Sequence, residues 1–97
     1  MILEIADIRI KPGQQAAFET AVHTGMTTIF AKAKGCRSQQ VRHSIESPER
    51  YVLLLEWDAL EDHTVAFRGS AAFAQWRSLV GEFFAQPPFT EHFEATS

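Results

Sequence analysis

The chain holds one cysteine, Cys36, among its 97 residues. A lone thiol closes no disulfide within the chain and leaves no thiol pair for a redox or zinc motif. Cys36 therefore reads as a small apolar residue in a reducing compartment. Long apolar runs are also missing. The opening MILEIADIRI is interrupted by Glu4, Asp7 and Arg9, with no basic segment before it and no small-residue cleavage site after it, so it reads as a strand and not a signal peptide. Nothing approaches the roughly 20 apolar residues that span a bilayer, and a soluble, cytoplasmic protein with no membrane partner is expected. Positive charge is scarce and scattered: nine Lys and Arg against twelve Asp and Glu give a net charge of -3, which provides no basic face for nucleic acid. No phosphate loop, dinucleotide fingerprint or nucleophile motif occurs, and the glycines read as turn and cap residues.

Aromatic residues, by contrast, are plentiful. Eight Phe, two Trp and one Tyr are more than a two-layer monomer of this length easily hides, so part of this surface is expected to meet a partner.

Residues 2–10 are Ile-rich and read as a strand that Lys11-Pro12-Gly13 ends. From Gln14 to about Ala33, Phe18, Val22, Gly25, Met26 and Ile29 fall on one helical stripe, with Gly35 as the cap. Residues 36–46 alternate, Val41 and Ile45 sharing one side, as in an edge strand. After the turn ESPER, residues 50–57 put Tyr51, Leu53, Leu55 and Trp57 on one face and Val52, Leu54 and Glu56 on the other, the pattern of a central strand. Residues 59–68 and 70–85 read as helix, broken near Gly69-Ser70, with Ser70 as N-cap of the second piece and Pro87-Pro88 as its stop. In that piece Phe73, Trp76, Val80, Phe83 and Phe84 form the packing face. A last strand covers 89–95.

The order is βαββαβ over one domain, residues 1–97. Right-handed crossovers put the first and third strands at the centre of a four-stranded antiparallel sheet, a ferredoxin-like α+β fold. With both helices on one sheet face, the apolar side chains of the other would be covered by a symmetric homodimer packed sheet on sheet.

Several stretches carry a resemblance that spans nearly the whole chain: IRIKPGQQAAFETA, a glycine before the second strand, RYVLLLEWDALEDH, FRGSAAFAQWRSLVGEFFAQPP and TEHFE. In order and spacing they resemble the antibiotic biosynthesis monooxygenase family of dimeric α+β barrels. The resemblance implies a homodimer with one pocket per subunit between sheet and helices. It also implies oxidation of phenols or quinols without metal or flavin in some members, and haem degradation in a neighbouring branch. Trp57 matches the tryptophan that lines the family's pocket. The haem-degrading branch keeps an asparagine where this chain has Ala6 and a histidine where it has Phe67, so haem would lack its axial ligand. Phenol-oxidising members keep an asparagine where this chain has Leu53.

Cofactor-independent oxidation of a phenol calls for an apolar pocket with one or two polar groups that take the phenolic proton and exclude water. Trp57 and His63 are the candidate catalytic residues, with Leu55, Phe67, Phe73 and Trp76 as pocket walls; the same aromatics at these spacings also read as plain core. Leu60, His63 and Phe67 are spaced three and four apart, so His63 is expected to share an inward helix face with them. His23, His43 and His92 form no pair at metal-ligand spacing, and a metal site would have to be assembled from distant segments, so no metal and no cofactor is expected. Arg68 and Arg77 would meet an anionic group at the pocket mouth. Two functions follow: a cofactor-independent monooxygenase acting on a small phenol or quinol, or a dimeric module that binds a small hydrophobic ligand or serves a regulatory or stress role without catalysis. Haem degradation ranks third.

Overall fold

The computed structural model describes residues 1–96. Strands β1 (Ile2–Arg9), β2 (Cys36–His43), β3 (Arg50–Trp57) and β4 (Phe89–Glu94) and helices α1 (Gln15–Thr28) and α2 (Ala71–Val80) follow in the order βαββαβ. All strands pair antiparallel in the order β2-β3-β1-β4, which is the ferredoxin-like α+β arrangement expected from the sequence, with β1 and β3 central.

Register decides what the helices cover. Ala6 pairs with Leu53 and Thr90, and Glu4 with Leu55 and His92. Because side chains alternate between faces, the even-numbered positions of β1 and β4 and the odd-numbered positions of β3 lie under α1 and α2. Tyr51, Leu53, Leu55 and Trp57 are all buried there. The α1 stripe of Phe18, Val22, Gly25, Met26 and Ile29 is buried as its spacing predicts. Gly25 has a steric reason: a Cβ at that position would run into the Trp76 ring. Gly35 takes a φ of 82°, a left-handed value open mainly to glycine, at the turn into β2.

Four boundaries differ from the sequence pattern. The α-helical part of α1 stops at Thr28, where a 3-10 turn (Phe30–Lys32) rotates Phe30 into the core against Trp57, Phe67 and Trp76. β2 ends at His43, so Ile45 stands exposed in the hairpin and does not share a face with Val41. Helix α2 ends at Val80, short of Pro87-Pro88. A 3-10 turn (Gly81–Phe83) follows, and the chain is drawn onto the end of β1 where Lys11 N donates to Phe83 O and Ala85 N to Arg9 O. The segment before α2 is a π-helical turn, Asp62–Phe67. Ser70 caps α2 as expected, its Oγ accepting from Phe73 N.

Among the described residues, no element covers the far face of the sheet. It presents half-buried Leu3, Ile5, Val52 and Leu54, together with exposed Phe89 and Phe93. No helix among the described residues is long and apolar enough to cross a membrane.

Candidate active site

Between the helix-covered sheet face and α2 lies a cavity of about 680 Å³. Ala6, Ile8 and Leu53 form its sheet wall; Phe67, Phe73 and Trp76 face them from the π-turn and α2. Arg68 and Arg77 stand at its exposed margin, and the guanidinium of Arg77 lies 6.0 Å from the centre of the Phe73 ring. Two polar groups reach the cavity from buried positions, Glu4 and His63.

The π-turn is what aims His63. Arg68 N donates to His63 O at 3.1 Å, a span of five residues. The widened turn brings positions 63 and 67 to the inner side and rotates Leu60 outward. The expected inward face is thus correct for His63 and Phe67 and wrong for Leu60, because it assumed α-helical pitch. Such turns recur at functional sites in other proteins.

Glu4, His63 and His92 form a chain of close polar contacts. Trp57 Nε1 donates to Glu4 Oε1 at 3.0 Å; His63 Nε2 lies 3.3 Å from the same oxygen, and His63 Nδ1 lies 2.7 Å from His92 Nε2. Burial falls along the chain, since Glu4 and His63 are 5% and 3% exposed while His92, on edge strand β4, is half-buried. Burial raises the Glu4 carboxyl from 4.5 to about 7, opposed by the Trp57 hydrogen bond and the charge of Arg68. Burial lowers the His63 imidazole to about 4, with Arg68 and His92 adding to the effect. His92 is also held below its usual value, by burial and by Arg68. At neutral pH both rings are therefore uncharged, and the Glu4–His63 contact is a close polar approach of 3.3 Å, not a salt bridge. The His63–His92 hydrogen bond forms in either of two tautomers, with one ring or the other donating.

Phe67, Phe73 and Trp76 line the cavity as their spacing suggested. Trp57 and Leu55 do not: both are fully buried and lie away from the cavity wall. Trp57 instead stacks behind His63, ring centroids 5.2 Å apart, and holds Glu4. It supports the polar chain and touches nothing in the cavity. Glu4 is the residue that sequence reasoning missed. It reads as a charge breaking an apolar run, yet it shares the phase of Ala6, Ile8 and Ile10, which marks an acid pointing into the core. The histidines, unpaired along the sequence, are paired in space: Glu4, His63 and His92 are the distant segments brought together.

The family model of the antibiotic biosynthesis monooxygenases aligns with residues 1–79. The chain belongs to this family. It is 36% identical to the uncharacterized protein YczJ of Bacillus subtilis over 94 residues, 97% of this chain and 98% of that one. A crystal structure of a candidate antibiotic biosynthesis monooxygenase from Bordetella bronchiseptica is 43% identical and superposes with a TM-score of 0.94, covering 99% of this chain and 97% of that chain. SnoaB, a cofactor-independent oxygenase from Streptomyces nogalater, shares the fold at a TM-score of 0.83 and 14% identity, over 99% of this chain and 93% of that chain.

Proposed function

We propose that the protein is a cofactor-independent monooxygenase acting on a small phenol or quinol held in the cavity. The observation that carries this reading is the position of His63, buried at the apolar cavity and backed by Glu4. The phenolic proton passes to the His63–Glu4 pair. The resulting anion is rich enough in electrons to react with oxygen, while the apolar walls exclude water. The substrate supplies all the electrons: one oxygen atom stays on the ring and the other leaves as water, so a quinol becomes a hydroxyquinone. Glu4, raised to about 7 by burial, has an affinity suited to a base working near neutral pH. His63 is the contact through which the proton travels, and Trp57 is a positioning residue.

A second reading, a binding module without turnover, is favoured by one observation. Ala6 and Leu53, the positions at which the resemblance leads one to look for asparagine, both line the cavity and bring only apolar surface. Oxygen uptake with a panel of quinols and anthrone-like compounds, run with chelator and paired with thermal-shift measurements, separates the two. Substrate-dependent uptake supports the oxygenase. Stabilisation by compounds that are never converted supports the binding module and contradicts the oxygenase.

The bare sheet face supports a homodimer in which Leu3, Ile5, Val52, Leu54, Phe89 and Phe93 meet their counterparts.

A further inference from the structure

We propose that Glu4, His63 and His92 form a binding site for one divalent transition-metal ion of the zinc or ferrous type. This goes beyond the proposed reaction and does not depend on it.

Three elements, β1, the π-turn and β4, each contribute one side chain, and one ligand atom from each lies within 4.8 Å of the other two. Two imidazoles and a carboxylate are the donor set that borderline first-row ions take. At bond lengths of about 2.0–2.2 Å, neighbouring ligand atoms stand roughly 3 to 3.5 Å apart. The separation of His63 Nε2 from Glu4, 3.3 Å, already meets this, whereas His92 lies 2.7 Å from the opposite ring nitrogen, Nδ1. His63 would bind through one ring nitrogen, so one of its two partners must swing to join the ion. His92 is free to do so, being half-buried on an edge strand with no other side-chain hydrogen bond among the described residues. Trp57 Nε1 holds one oxygen of Glu4, which is how an outer hydrogen bond orients a ligating carboxylate. Glu4 makes no ion pair with a Lys or Arg among the described residues, so a buried acid stands without a cation. The cavity adjoins the cluster and leaves room for a fourth ligand, water or substrate. Metal and proton use the same lone pairs, so a bound ion displaces the His63–His92 hydrogen bond.

The test uses the untagged full chain, stripped with chelator, with no aromatic substrate present. Zn2+ is titrated calorimetrically and Co2+ by visible absorption. One ion per chain is expected, with affinity weakened at least about tenfold in Glu4→Gln, His63→Gln and His92→Gln and unchanged in His23→Gln and His43→Gln. Circular dichroism verifies folding. Should Glu4→Gln fail to fold, His92→Gln, at a half-buried edge position, still decides. Absence of Zn2+ binding overturns the proposal, as does binding that survives His92→Gln or is lost with His23 or His43. Failure here leaves oxygen uptake in chelator unaffected, and failure of oxygen uptake leaves the metal titration unaffected.

Discussion

Glu4 and His63 are both held in their neutral forms, and the two preferences act at opposite ends of the pH scale. A carboxyl raised from 4.5 to about 7 contributes stability that is complete below the lower value and lost as pH rises through the higher. An imidazole lowered from 6.5 to about 4 contributes stability that is complete above 6.5 and lost as pH falls toward 4. Between these limits the two slopes largely cancel. Arg68, beside the cavity, favours the ionised carboxylate and opposes protonation of His63 and His92, so it partly offsets the Glu4 shift. Glu4→Gln keeps an acceptor for Trp57 and removes the ionisation. Its melting temperature relative to the wild type should therefore rise from pH 4.5 to pH 8, measured by thermal unfolding in chelator. The full effect of raising the carboxyl from 4.5 to about 7 is on the order of 3 kcal/mol. A difference that is flat with pH would mean that Glu4 ionises normally.

At the scale of elements, the packing of α1 on α2 depends on Gly25 lying under Trp76. Gly25→Ala should cost about 1–3 kcal/mol by overpacking, read as a lower denaturation midpoint with unchanged slope. Ser70→Ala should cost about 1 kcal/mol through the lost cap. Much of this level was legible in the sequence. Alternation in β1 and β3 gave both sheet faces, and the α1 stripe gave its buried residues. The π-turn was not legible, because the spacing of Leu60, His63 and Phe67 fits α-helical pitch equally well. Backbone hydrogen bonds such as that from Arg68 N to His63 O distinguish the wider turn. Nor could the Glu4–His63–His92 chain be read from spacing, since it depends on the pairing of Glu4 with His92 across β1 and β4. Trp57 was visible as important, but its role depended on which way its ring pointed, and it points to Glu4.

At the scale of the whole molecule, the uncovered sheet face makes a homodimer the expected state. Light scattering at micromolar concentration should give twice the chain mass of 10.9 kDa. Leu54→Glu, on the uncovered face opposite Ile5, should shift that mass toward the monomer with the secondary structure intact. A monomeric wild type would contradict the dimer. The central claim, that the buried His63–Glu4 pair takes a proton from a substrate in the cavity, is tested most directly by comparing oxygen uptake of the wild type and His63→Ala. The two are run side by side in chelator, with the best compound of a quinol panel, after circular dichroism has shown the variant folded. The account predicts substrate-dependent uptake by the wild type and a loss of about 10²- to 10⁴-fold in the variant. Uptake undiminished by the substitution, or absent for every compound with the wild type, would contradict it.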